Sequence, residues 1–404
     1  MTNYAKQYAQ ALSQQYPYVL RFGALYARKQ EGDYKWINAH TVEVPTISVT
    51  GRTDGNRNAM ESLGNWQQAH GNEWTPLTLG FHREWKDFIH PEDIDQTNAV
   101  LTIGNITRVM NEQEKFPEMD RYLISKVYAD WCAAGRVPFT GTFSAATVLE
   151  WFDNMMEQMT EHNVPEMGRI LYATPTAERF IKNAINLYRN AADASERVQR
   201  GIGAIDNVQL EVVPSDSMKT VYDFTVGAVP GVTAKQIQMF LVHPSAVITP
   251  VNYETALLQD PSAVTKGKYV YFEESDGDVF ILPHKEGGIE FFVTNLENGT
   301  ATFTSAAYTG TGAVVGDCNI TITAPVGDNV KKGTRYFYAA ASGTAPTAPA
   351  YGVSVKDNAA WTEWDGKATT VLNITNGYKA TVLACDADCR VYAAGNGTIT
   401  SKTA

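Results

Sequence analysis

The sequence predicts an α+β body followed by an all-β C-terminal module. Three observations point there. Apolar residues recur at helical spacing in three stretches ahead of Thr294. The strand-like runs of that region are apolar on both faces. Composition then changes near Thr294: from Asn295 to Ala404, Ala, Gly, Ser and Thr supply almost half of the chain, and the few charged side chains balance in sign.

Thr41 to Thr50 alternates as a strand should, and Pro45 marks it as an edge. Gly51-Arg-Thr-Asp-Gly-Asn-Arg-Asn is polar and glycine-rich, the composition of a loop tip. The chain returns through Trp66, Trp74, Phe81, Trp85 and Phe88 with neither a helical nor a strict two-fold period. These aromatics crowd a segment that has little means of burying them locally. They fold back as satellites of the core, or they form an extended hairpin buried on a neighbouring subunit.

Leu123, Val127 and Trp131 predict a helix placed after a break at Pro117. Val148, Phe152, Met155 and Met159 recur at +4, +3 and +4, and this methionine-rich stripe reads as core packing. Phe180, Ala184, Leu187 and Tyr188 give a third helix, opened by Pro175 and Thr176. Gln238 to Val242, Tyr269 to Phe272, Val279 to Leu282 and Ile289 to Val293 read as strands covered on both faces. In the tail, short β-branched or aromatic runs such as Arg335-Tyr-Phe-Tyr and Ala380-Thr-Val-Leu-Ala alternate with turn residues. About 8–12 residues separate such strands, the spacing of a small sandwich.

The whole chain has 404 residues, 33 Lys plus Arg against 44 Asp plus Glu, and a net charge of −11. All of that excess lies ahead of Asn295. A protein built to grip phosphate backbones shows the opposite balance. No apolar run approaches the roughly 18 residues that cross a bilayer, and the N-terminus has no signal-peptide core. Cys132, Cys318, Cys385 and Cys389 are too scattered for a disulfide scaffold. Cys385 and Cys389 flank Asp-Ala-Asp, so a hairpin disulfide is geometrically open, although two buried thiols suit a reducing cytosol better.

The motif search for chemistry returns nothing persuasive. Phosphate-binding, nucleophile-elbow and zinc-protease motifs are absent. Gly201-Ile-Gly203 reads as a turn. His82, Glu84, His90, Glu92, Asp93 and Asp95 match no metal-ligand template and read as a solvated loop. Glu273, Glu274, Asp276 and Asp278 around Gly277 read as a hairpin turn with exposed acids. His243, ahead of Pro244, reads as structural. No catalytic residue, cofactor or metal is expected, and the chain reads as a structural protein rather than an enzyme.

The order of elements resembles that of a tailed-bacteriophage major capsid protein of the Hong Kong 97-type fold. Four stretches carry the resemblance: Phe116-Pro-Glu-Met-Asp-Arg-Tyr-Leu-Ile-Ser-Lys, Asn163-Val-Pro-Glu-Met-Gly-Arg-Ile-Leu-Tyr-Ala-Thr-Pro, Asp206-Asn-Val-Gln-Leu-Glu-Val-Val-Pro-Ser-Asp-Ser-Met and Met239-Phe-Leu-Val-His-Pro-Ser-Ala-Val. The match spans about residues 20–293. It implies an N-terminal arm over 1–40, an extended loop over 41–95, and a spine helix with peripheral domain over 96–145. An axial domain over 146–275 and return strands over 276–294 follow. Residues 295–404 then form an appended immunoglobulin-like β-sandwich.

The resemblance also implies a function. Copies would assemble through pentamers and hexamers into an icosahedral head in the virion, made in the host bacterial cytoplasm. The head would enclose double-stranded DNA contacted non-specifically, with no membrane involved. Trp66, Trp74, Phe81 and Trp85 would then be buried only on assembly. Arg52, Asp54 and Arg57 would seek opposite charge on a neighbour, with Glu112, Glu114, Glu118 and Asp120 as candidate partners. Some members weld the shell through a lysine on the extended loop; no lysine lies between Pro45 and Trp85, so no such crosslink is expected. The capsid-like pattern starts close to Met1, already under way by Thr41, which leaves no room for a fused scaffolding segment. A separate scaffolding protein and a portal are the implied partners.

Trp361, Trp364 and Tyr378 are candidates for a glycan-stacking surface on the tail, and equally for the sandwich core. Two rival functions stay open. An encapsulin-type nanocompartment shares the fold, and a carbohydrate-binding or adhesion protein would act through the C-terminal module alone.

Overall fold

A computed structural model describes residues 18–26, 34–38, 40–52, 70–96, 103–189 and 203–404. The chain divides into two compact units: Met1–Met119 with Ser245–Lys285, and Asp120–Pro244 with Glu286–Ala404.

The first unit holds two three-stranded sheets. In one, β1 (Lys35–Asn38), β2 (Thr41–Val49) and β3 (His70–Thr78) lie in that order. β2 and β3 form one antiparallel hairpin, from Thr41 opposite Thr78 to Val49 opposite His70. β2 is therefore central at its start, where β1 pairs with Thr41 to Glu43, and becomes an edge only beyond. Pro45 sits just past β1, where its missing N–H leaves no ladder bond unmade on that side. The base of the hairpin is anchored by Val42, Val44 and Leu79, which pack on Ile248, Phe280 and Leu282. Ile248 and Phe280 come from the short pair β11 (Val247–Ile248) and β14 (Phe280–Ile281), beside the single turn α1 (Gly23–Tyr26).

The second sheet contains β4 (Phe81–Ile89), β12 (Val251–Gln259) and β13 (Tyr269–Gly277), with β13 central. β13 pairs with β4 and β12 with β13, so residues 251–275, expected in the axial domain, lie in the first unit instead. Nor are residues 82–95 a loop. His82 and Glu84 lie on β4, and Pro91 opens the short helix α2 (Pro91–Gln96), with Glu92 and Asp93 in its first turn.

Residues 103–133 are helical throughout: α3 (Ile103–Met110), a π turn (Asn111–Lys115) and α4 (Phe116–Ala133). Pro117 does not break the helix as its sequence predicts, because the π turn accommodates it. Phe116 N–H reaches Asn111 O, so the next carbonyl in that register, Glu112 O, faces the proline that has no proton to give. Tyr18 N–H takes that carbonyl at 3.2 Å.

In the second unit a five-stranded sheet runs β15 (Ile289–Val293), β10 (Ile237–Val242), β5 (Ile170–Ala173), β7 (Val208–Val212), β6 (Ala204–Ile205). Only β5 and β7 are parallel. Met239, Leu241, Leu171 and Phe292 face α5 (Val148–Glu161) and α6 (Pro175–Arg189), where Val148, Phe152, Met155 and Met159 are buried as their spacing predicts. The alternate residues Phe240 and Phe291 stack at 4.7 Å on the other face, and Trp131 and Tyr128 of α4 meet Phe291 edge-on. Coverage on both faces explains why these strands read as continuous apolar runs. α6 is capped by Thr174, whose Oγ1 accepts Ala177 N–H at 3.2 Å. A small ribbon, β8 (Tyr222–Asp223) with β9 (Val229–Pro230), is tied to α4 by Arg121, which binds Asp216 and donates to Ala228 O.

The C-terminal residues form two further sheets. One runs β16 (Gly299–Thr300), β23 (Val391–Thr398), β22 (Lys379–Cys385), β19 (Arg335–Ala341), β20 (Thr362–Trp364). The other runs β17 (Thr302–Ala307), β18 (Asp317–Ala324), β21 (Val371–Asn373). Cys318, Ile320, Ala380, Val382 and Trp364 fill the space between them. This module is docked tightly within the second unit. Val137 packs with Ala384, Tyr392 and Ala393. Gly135, at φ +99°, would place a Cβ 2.3 Å from Lys332 O, so no other residue allows that approach. All four cysteines are free thiols.

Candidate assembly surface

The β2–β3 hairpin leaves its own core at about Pro45. Val42 and Val44 are buried, whereas Ile47, Val49 and Trp74 are 74%, 76% and 43% exposed. A strand of nine residues extends about 30 Å, so half of this hairpin stands clear of the cluster at its base. Arg52 is exposed where the strand ends. Asp54, Arg57 and Trp66 lie outside the described residues.

The other expected arm aromatics behave differently. Phe81 and Trp85 belong to β4, not to the hairpin, and both point to the half-buried face of its sheet. Trp85 packs on Tyr271 at 5.4 Å, and the Arg83 guanidinium lies 5.5 Å from the Phe81 ring. Each is half-buried and already has partners within its own chain. Phe88, on the opposite face, is exposed and carries the Lys268 ammonium 4.1 Å from its ring. The period that the sequence hides is a strict alternation in β4, interrupted at Leu79-Gly80 by the turn from β3.

Among the acids expected as partners, Asp120 is wholly buried and Glu118 is ion-paired with Arg83 of its own unit. Burial raises the Glu118 pKa, against the opposing pull of Arg83. Glu112 is half-buried, and Glu114 is exposed. Glu114 is thus the most exposed of the four, and Asp120 the least.

Sequence reasoning missed the acids that fix the β4–β13–β12 sheet. Glu273, Asp276 and Asp278 are buried rather than exposed at a turn, because β13 runs through Gly277. Lys115 of the π turn binds Glu273 and lies 2.9 Å from Glu254. Burial lowers the Lys115 pKa, but bonds to the two glutamates outweigh it and leave it raised. Asp276 meets His40 Nδ1 at 2.8 Å, and Asp278 accepts Gly80 N–H at 2.8 Å. Acids spaced closely on one strand, each with a partner far away in sequence, carry no local signal.

In the C-terminal module, Trp364 is buried against Tyr336 and Tyr338 at 5.7 and 5.6 Å. Tyr378 packs on the same core, and Trp361 on the cluster around Val355 and Leu383. Trp364 and Tyr378 thus share one cluster, and Trp361 belongs to another. Among the described residues no helix is long and apolar enough to cross a membrane.

No family model matches the chain, and no curated protein matches it. Solved structures do. A chain of Mycobacterium phage Che8 superposes with a TM-score of 0.51 at 13% identity, over 70% of this chain and 93% of that one. The two share a fold. Matches also include the asymmetric unit of the bacteriophage PhiM1 mature capsid (TM-score 0.49, 10% identity, 63% of this chain and 82% of that one). The capsid structure of the cyanophage P-SCSP1u is another (TM-score 0.48, 10% identity, 70% and 90%).

Proposed function

We propose that this chain is the major capsid protein of a tailed phage, a structural protein whose function is self-association. The observation that carries the proposal is the β2–β3 hairpin, whose outer half presents Ile47, Val49 and Trp74 to solvent on a fold shared with a phage protein. An isolated molecule gains nothing by exposing them; a neighbouring copy that covers them gains about 25 cal/mol for each Å² removed from water. Copies assemble as pentamers and hexamers and close into an icosahedral head around double-stranded DNA. The net charge of −11 suits a shell that holds DNA without adhering to it. A separate scaffolding protein and a portal complete the assembly. The C-terminal sandwich serves as an immunoglobulin-like module that braces the shell.

Negative-stain electron microscopy with light scattering tests this, on the protein expressed alone and together with its neighbouring genes. Closed shells or capsomer rings are expected. A stable 44.4 kDa monomer under both conditions overturns the proposal.

A further inference from the structure

Strand edges that face solvent are usually defended by charge or proline. β3 carries Glu73 and Pro76, and β4 carries His82, Arg83, Glu84, Lys86 and Asp87. β12 has no such defence. It reads Val-Asn-Tyr-Glu-Thr-Ala-Leu-Leu-Gln, with no proline or lysine and one acid, Glu254, which shares Lys115 with Glu273. Leu257 and Leu258, successive residues on opposite faces, are 60% and 56% exposed. The strand thus shows leucine on both faces, like an interior strand, yet it is the last in its sheet. Its outer edge pairs with no strand among the described residues.

We propose that β12 pairs antiparallel with β12 of a second copy of this chain, about a two-fold axis at Thr255. Two three-stranded sheets then become one of six strands. The pairing rests on the self-assembly proposed above. A second copy is favoured by charge. Molecules of net charge −11 repel one another least where their surfaces carry few charges, and β12 has one charged residue in nine. The register centred on Thr255 sets Glu254 opposite Ala256 of the second copy, so no like charges stand directly opposed. Each Glu254 also keeps its own Lys115. The bulge between Val251 and Tyr253 ends straight pairing at one side, so the contact runs from Tyr253 to Leu257.

The test uses full-length Thr255→Cys, oxidised with copper phenanthroline under assembly conditions and run on a non-reducing gel. Directly opposed residues have Cβ atoms about 5 Å apart, close enough for a disulfide to form with small adjustment. Oxidation joins two thiols into one S–S bond; two cupric ions take one electron each, and the two protons pass to buffer. A covalent dimer is expected from Thr255→Cys, and none from wild type or from Gln259→Cys, which lies far from the axis. Hydrogen exchange on the wild-type chain supplies an independent reading: the amides within 253–257 that face away from β13 should slow at least tenfold on assembly. Protection without a Thr255→Cys crosslink overturns the two-fold register. Shells that form with neither crosslink nor protection overturn the β12 contact and leave self-assembly intact. A wild-type chain that never assembles removes both proposals.

Discussion

Arg390 Nη1 donates to Glu290 Oε2 at 2.9 Å, and neither side chain has any exposed surface. The two residues are 100 positions apart and join the C-terminal module to strand β15 of the central sheet. Asp386 accepts from Arg390 Nε at 3.2 Å, and Asp388 lies 3.5 Å from its Nη2. The guanidinium is 4.7 Å from the Phe139 ring centre, so one face is satisfied by an aromatic and the edges by carboxylates. Burial pulls the Arg390 pKa down, but the three acids outweigh it and hold the pKa above the ordinary value. Burial raises Glu290, with Arg390 opposing.

Removing one member strands the others. Arg390→Met is expected to cost about 3–5 kcal/mol, because Glu290 and Asp386 are left buried without a counter-charge. Adding Glu290→Gln should recover part of that loss, since a neutral amide needs no cation. Urea unfolding followed by tryptophan fluorescence measures both. A single-mutant loss below about 1 kcal/mol would show that the cluster is not what fastens the module.

Acid should loosen the same junction through Asp388. Burial pushes this carboxyl up, yet a hydrogen bond with His162 and the charges of Arg136 and Arg390 outweigh burial and hold it well below the usual carboxylate range. Arg136 Nη1 is 2.5 Å from Asp388 Oδ2. A depressed folded pKa gives stability that is complete above the unfolded value near 3.8 and is lost as pH falls below it. Wild type should therefore exceed Asp388→Asn by about 1–3 kcal/mol at pH 7, and the gap should narrow below pH 3.8. Melting temperatures of both proteins from pH 7 to 3 check this; a constant gap contradicts it.

Arg169 should prove the strongest single support of α5. It is buried among neutral acceptors: Nε donates to Pro165 O at 3.0 Å, Nη2 to Val164 O at 2.7 Å and to Thr160 Oγ1 at 3.2 Å, and Nη1 to Met156 O at 3.3 Å. Three of those acceptors are carbonyls in the last turns of the helix or just past its C-terminus, where a cation is favoured. Arg169→Met should cost about 3 kcal/mol in thermal unfolding, and Arg169→Lys somewhat less, since an ammonium cannot span the same fork. A loss within about 0.5 kcal/mol for Arg169→Met would put the support elsewhere.

Legibility in the sequence follows the range of the interaction. The stripe Val148, Phe152, Met155, Met159 declares α5 because the helix period is local, and β10 and β15 declare themselves because burial on both faces leaves an unbroken apolar run. Glu290 gives no such sign: between Ile289 and Phe291 it looks like a residue turned to water, and its partner is 100 positions away. Asp276 and Asp278 mislead for the same reason, since Gly277 beside them suggests a turn while His40 and Gly80 bind them from afar. Pro117 marks a disturbed helix correctly, but the sequence does not show that a π turn and Tyr18 absorb it. The hairpin is readable from the alternation at Thr41 to Thr50. The division of its aromatics is not, because Trp74 and Trp85 differ only in which strand they join.

The outer half of that hairpin separates folding from assembly. Ile47, Val49 and Trp74 are exposed and contribute little to the core at the hairpin base, so Ile47→Ser with Val49→Ser should change unfolding by no more than about 0.5 kcal/mol. Serine on a strand that stays paired to β3 preserves the ladder from Thr41 to Val49. Assembly should respond far more strongly. Each buried valine or isoleucine side chain contributes about 1.5–3 kcal/mol, so two lost per contact weaken each subunit interface by a factor of at least about 100. Light scattering against protein concentration reads this as a rise in the concentration at which shells or rings appear. Val44→Ser is the contrasting variant: it sits in the base cluster and should lower the melting temperature. Equal effects of the outer and inner substitutions on unfolding, with assembly unmoved by the outer pair, would remove the hairpin from the interface.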